Sequence, residues 1–160
     1  MRRLIMWADN LCYDTVFRFG LRMGAMLARM RLNAFNKVLM RFNAKVVLLM
    51  RKGLPQPDIV AVAKEWQRMF PTSVRQEIID ADDDTVYAET HGYCPLRGTQ
   101  DVQACHTVME FDRCLLETMG GRFIVLRSQA EPGATTCRIA IRRLDKSVED
   151  LIPAHRRLHT

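Results

Sequence analysis

The chain has no long apolar run and no closely spaced cysteine pair, and each lack removes a class of protein. The strongest apolar run, residues 46–50, falls far short of the roughly 18 residues needed to span a bilayer. No transmembrane segment is therefore expected. The opening residues, Met1-Arg2-Arg3 followed by Leu4, Ile5, Met6 and Trp7, begin like a secretion signal but meet Asp9, Asn10 and Asp14 before an apolar segment forms. Five cysteines, an odd number with no CxxC spacing, do not resemble the framework of a small disulfide-stapled protein. A reducing, cytoplasmic setting is expected.

Acidic residues are scarce in the first third. Residues 1–53 carry eleven Lys and Arg against only Asp9 and Asp14, whereas the remainder has thirteen basic and sixteen acidic residues. Such a segregated basic arm can meet anionic lipid, nucleic acid, an acidic partner protein or a second copy of the chain, and it can equally be the solvated face of a helical hairpin. The 160 residues, 48% hydrophobic and 26% charged, suit one domain with a real core and argue against extended disorder.

Residues 4–52 have helical texture, clearest where Phe35, Val38, Leu39, Phe42, Val46 and Leu49 recur at three- and four-residue steps. Gly20 and residues 33–36 are candidate breaks, and Gly53 with Pro55 and Pro57 is a stop signal. Two antiparallel helices are the expected result. The small residues Gly24, Ala25 and Ala28 would let a neighbour approach closely. Asp58 can cap a short helix whose stripe is Ile59, Val62, Ala63, Trp66 and Phe70. The acidic residues Asp80, Asp82, Asp83 and Asp84 read as a solvated turn, lacking the Gly and closing Glu of a calcium loop. Beyond it the pattern gives a strand at 85–90, a helix at 102–119, a strand at 122–128, a turn at Glu131-Pro132-Gly133 and a strand at 135–143. The expected fold is α+β: a helical N-terminal layer (1–53, a basic arm or hairpin) packed with a small antiparallel-containing sheet in a β-α-β-β unit (54–160).

Three cysteines of that unit turn inward on this reading. Helical periodicity places Cys105, Val108, Met109, Asp112, Leu116 and Met119 on one stripe, with Cys114 nearly opposite and His106, Glu110, Arg113 and Glu117 facing solvent. Alternation in the last strand groups Cys137 with Ile139 and Ile141. Cys94 ends a strand region before Pro95. Asp112 is anomalous on an apolar stripe, because a buried carboxylate must be paired, hydrogen-bonded, metal-bound or protonated. The set admits three readings: quiet buried thiols; a zinc or iron–sulfur site built from Cys94, Cys105 and Cys137 with His91 or Asp112 completing the shell; or a catalytic thiol with His91 or His106 as base and Arg97 nearby.

The run Cys94-Pro95-Leu96, then Ala104-Cys105, Asp112, Gly120 and Pro132-Gly133 before Cys137, resembles the C-terminal part of the L-2-amino-thiazoline-4-carboxylic acid hydrolase-like family and the related 4-vinyl reductase-like small-molecule-binding domains. The resemblance covers about residues 54–143. It implies either a small-molecule ligand or hydrolysis of a C–N or C–S bond in a small cyclic amidine, with Cys94 or Cys105 as nucleophile and Asp112 as orienting or acid–base group. A similar cysteine pattern occurs in iron–sulfur-sensing repressors, but no winged-helix reader begins this chain, so nucleic acid is not an expected partner. A small-molecule or metal site is the leading expectation. The alternatives are the hydrolase and an accessory subunit docking a protein partner, or a second copy, through residues 1–53, where Met23, Met26 and Met30 would suit adaptable contact.

Overall fold

The computed structural model describes the backbone of residues 2–157 and the side chains of residues 12–157, so the side chains of Leu4, Ile5, Met6 and Trp7 lie outside the described residues. Among these residues the elements run α1 (Arg2–Arg29), α2 (Asn33–Arg51), α3 (Ile59–Arg68), β1 (Arg75–Ala81), β2 (Thr85–His91), α4 (Val102–Val108), α5 (Glu110–Met119), β3 (Gly121–Arg127), β4 (Cys137–Arg143) and a short 3-10 turn, Ala154–Arg156. The strands form one antiparallel sheet in the order β1-β2-β4-β3. This is the α+β fold expected. No helix among the described residues is long and apolar enough to cross a membrane.

Strand β1 adds to the sequence reading, which places no strand there. It is an edge strand with five of its seven residues exposed, so its alternation carries little apolar signal. The acidic turn closes the β1–β2 hairpin: the Asp82 carboxylate accepts from the backbone N–H groups of Asp84 at 2.8 Å and Thr85 at 2.7 Å, the local bonding for which Asp is favoured in turns.

The inward face of the sheet reads in rows. Val86, Ala88 and Thr90 of β2 lie opposite Ile141, Ile139 and Cys137 of β4, and Gln76 of β1 extends the last row through Thr90. Helices α3 and α5 cover the apolar rows, where Trp66, Met69, Leu115, Leu116 and Met119 pack with Val86, Ile139 and Ile141. On the other face Ile124 and Ala140 are met by Leu151 and Val148 of the C-terminal segment.

Asp58 caps α3 as expected, accepting from Ala61 N–H at 2.8 Å. The helix expected over 102–119 is interrupted at Met109 (φ −68°, ψ 4°). The two N-terminal helices meet closely where small residues allow it: Gly24 faces Met40 and Asn36 of α2, while Ala25 and Ala28 pack with Val102, Ala104 and Val108 of α4.

One sequence expectation in this pair is corrected. Gly20 does not break the helix; α1 runs to Arg29 and the break falls at residues 30–32, directly before the 33–36 region, where Arg31 (φ 62°) is left-handed and its N–H reaches Ala28 O at 3.0 Å while Leu32 N–H reaches Leu27 O at 3.1 Å. The stripe Phe35, Val38, Phe42, Val46 and Leu49 is exposed, and the buried face of α2 is Asn36, Met40, Ala44 and Leu48. Repeat spacing identifies a helix but cannot say which of two apolar faces turns inward.

Asn36 is fully buried and donates to Gly24 O at 2.9 Å, tying α2 to α1. Replacing it with Asp removes the donor and buries a charge, which is expected to cost at least ~2 kcal/mol. A fall in the denaturant midpoint of Asn36→Asp, with unchanged slope, is the measurement.

Candidate functional site

Above the Gln76–Thr90–Cys137 row the helices do not close on the sheet, and a cavity of about 590 Å³ is left between them. Its walls are overwhelmingly apolar. Phe17, Phe70 and Phe111 form an aromatic corner with ring centroids 5.5–6.2 Å apart and edge-to-face geometry, a favoured arrangement for such rings. Trp66 continues this wall from α3, its ring 5.3 Å from that of Phe70.

Cys94, Cys105, Cys137 and Asp112 all line this cavity. Cys105 reaches it from α4, Asp112 from α5, Cys137 from the start of β4 and Cys94 from the loop after β2. That loop is held by Arg97, which donates to Gly92 O at 2.6 Å and to Gln129 Oε1 at 3.0 and 2.9 Å. Gln129 in turn donates its backbone N–H to Cys137 Sγ at 3.3 Å. Arg97 therefore fixes the Cys94 loop against the beginning of β4.

Other sequence candidates lie elsewhere. Cys12 is exposed, and Cys114 is buried against α2 with its thiol toward Arg41 O at 3.8 Å. His91 alternates to the opposite sheet face, within 3.8–4.0 Å of Glu89 and Glu77, and borders not the cavity but an open surface depression that Cys94 and Arg97 also line. His106 stacks on His155, centroids 3.7 Å apart. Burial and the neighbouring Arg113 push its pKa down to about 4. Glu110, expected to face solvent, is buried between Arg41 at 2.7 Å and Arg113 at 2.9 Å.

These positions decide the chemistry available. Burial holds all three cavity thiols above their ordinary range, Cys105 up to about 12 despite the Ser128 hydroxyl and Cys94 despite Arg97. A reactive thiol needs a lowered pKa and a base, and neither His91 nor His106 lines the cavity. Zinc or an iron–sulfur cluster fits no better: among the described residues no three His, Cys, Asp or Glu side chains are grouped to hold a metal ion, and His91 faces away.

What the cavity offers is a few polar atoms in an apolar chamber. Asp112 accepts from Trp66 Nε1 at 3.0 Å. Burial raises its carboxyl to about 6, against the opposing pull of that hydrogen bond and of Arg113. Gln76 also lines the cavity, and its buried side-chain nitrogen has no hydrogen-bond partner among the described residues. Sequence reasoning missed Gln76 because β1 itself went unread.

No family model matches the chain, and no curated protein or solved structure is detectably similar to it.

Two measurements follow from the site. Under native conditions iodoacetamide is expected to label Cys12 first and to reach Cys105 and Cys137 only on unfolding, as read by mass spectrometry of the peptides. Asp112 sets the second. From the ordinary carboxyl value of 3.8 to the folded value of about 6, the native state holds more protons than the unfolded chain, so this group's stabilising contribution is lost as pH rises through that window. His106 acts oppositely, its contribution being lost as pH falls from 6.5 towards about 4. Asp112→Asn, which keeps the acceptor for Trp66, isolates the first effect. It is expected to match the wild type near pH 4 and to exceed it by about 1–3 kcal/mol at pH 8, measured by urea unfolding at each pH.

Proposed function

We propose that this chain is a small-molecule-binding protein whose ligand is a largely apolar molecule carrying a hydrogen-bond donor for Asp112 and an acceptor for Gln76. One observation carries the reading: a chamber of about 590 Å³, within the 300–1,000 Å³ usual for ligand pockets, lined by aromatic and aliphatic side chains with a costly buried carboxylate and an unpartnered amide. Buried polar groups in proteins are nearly always satisfied, and an incoming ligand would satisfy these. The thiols, protonated and polarisable, complete an apolar wall. This reading agrees with the small-molecule-binding side of the resemblance seen in residues 54–143.

The cavity opens between α1 and α2, since Val16, Phe19, Phe35 and Val46 are both exposed and part of its lining. Gly20 also lines it, and a Cβ added there would meet nothing within 4 Å. That vacancy makes a clean test. Gly20→Ala is expected to stabilise α1 by about 0.5–1 kcal/mol, whereas Gly20→Phe places a ring in the mouth. N-phenyl-1-naphthylamine, an uncharged apolar dye with one N–H donor, is expected to bind the wild type and to bind Gly20→Phe at least tenfold more weakly. Equal binding by a folded Gly20→Phe protein would remove the cavity as the ligand site.

A further inference from the structure

The cavity mouth sits in an exposed apolar surface that the fold leaves uncovered. On α1 this is Val16, Phe19 and Met26, continued by Met30 in the turn, and on α2 Phe35, Val38, Phe42 and Leu49, with exposures from 51% to 82%. A monomer rarely presents so continuous an apolar patch without a function for it.

Charge frames the patch on both sides. At one hundred degrees per residue, Arg18, Arg22 and Arg29 follow one edge of the α1 stripe, and Gly20 and Leu27 follow the other. On α2, Lys45 follows one edge, with Lys52 in the cap just beyond the helix, while Leu39 and Asn43 follow the other; Arg41, on the same edge as Lys45, is paired with Glu110 and Glu117. Gly20, Leu27, Leu39 and Asn43 line the same cavity, so those edges face each other and the basic rows lie outermost. Arg22, Arg29, Lys45 and Lys52 are exposed.

We infer that the face formed by α1 and α2 docks on an anionic lipid bilayer, apolar stripe towards the acyl chains, basic rows at the headgroups, and cavity mouth open to the lipid. An apolar face flanked by Lys and Arg is the pattern of helices that lie in the membrane interface, and each basic residue near an anionic leaflet adds electrostatic attraction. A second copy of the chain fits poorly, because face-to-face packing sets basic rows together. The one acidic side chain described on this pair, Asp14, is already engaged by Arg18 at 2.9 Å. The docking stands on the surface alone. Only the mouth's role in passing a lipophilic ligand rests on the proposed binding function.

The test is co-sedimentation of the full chain with vesicles of phosphatidylcholine alone and of phosphatidylcholine mixed with phosphatidylglycerol. Binding is expected to the mixed vesicles, weakening as salt is raised. The double change Lys45→Glu and Lys52→Glu is expected to lower it by about 10–30-fold. Phe42 and Leu49 are 62% and 82% exposed and do not line the cavity, so Phe42→Asp with Leu49→Asp is expected to abolish vesicle binding while leaving dye uptake and the melting temperature unchanged. Gly20→Phe is expected to lose the dye and still sediment, so docking and ligand binding fail separately. Absence of sedimentation with the mixed vesicles, or a chain that is dimeric without lipid and made monomeric by Phe42→Asp with Leu49→Asp, would overturn the inference.

Discussion

Helices α4 and α5 must be buried on two sides, and the rest of the molecule is arranged around that requirement. Leu116 and Met119 turn to the sheet and α3, whereas Cys114 packs towards α2 and Ala104 and Val108 join Ala25 and Ala28 of α1. A helix between two layers needs apolar residues over most of its circumference. Where a charge remains it is neutralised, as Glu110 is by Arg41 and Arg113. The hairpin of α1 and α2 is the second cover. Because it bridges α4 and α5 while the sheet lies beneath them, any place where the layers part becomes internal space, and they part over the row Gln76, Thr90 and Cys137.

The sequence carried much of this, and its gaps have physical causes. Period-two alternation turned Cys137 inward, and helical spacing set Cys105 and Asp112 on one side; both residues line the cavity despite the interruption at Met109. Cys114 was rightly set apart by the same spacing. Local signals failed where the chain used residues outside the usual vocabulary. The left-handed turn at Arg31 closes α1 without the Gly or Asn that would announce it, whereas Gly53 did mark the end of α2, and β1 pairs at an edge with charged residues outward. The two apolar faces of α2 posed a different problem. Its period is unmistakable, yet only the packed structure shows that Asn36, Met40, Ala44 and Leu48 are inside and Phe42 outside. An internal cavity has no sequence signature, since the same residues in slightly closer packing would make an ordinary core.

Asp112 links stability to the use of that space. A carboxyl held at about 6 is mostly ionised at neutral pH, so the folded protein carries a charge in an apolar chamber with Trp66 as its hydrogen-bond donor. A Leu or Asn at this place would be cheaper for folding alone. The cost makes sense if the charge meets a partner that arrives from outside, because an electrostatic interaction gains strength in a dry, low-dielectric site. The raised pKa sharpens this further. A ligand that donates a hydrogen bond or carries positive charge favours the ionised form and draws the pKa down on binding, so its affinity should grow as pH rises through 6. An apolar molecule without a donor gains nothing from Asp112 and is resisted by its ionised form. Under the proposed binding function, the carboxylate would be the chamber's means of choosing among apolar molecules of similar shape, a task the surrounding Phe, Leu and Met side chains cannot perform.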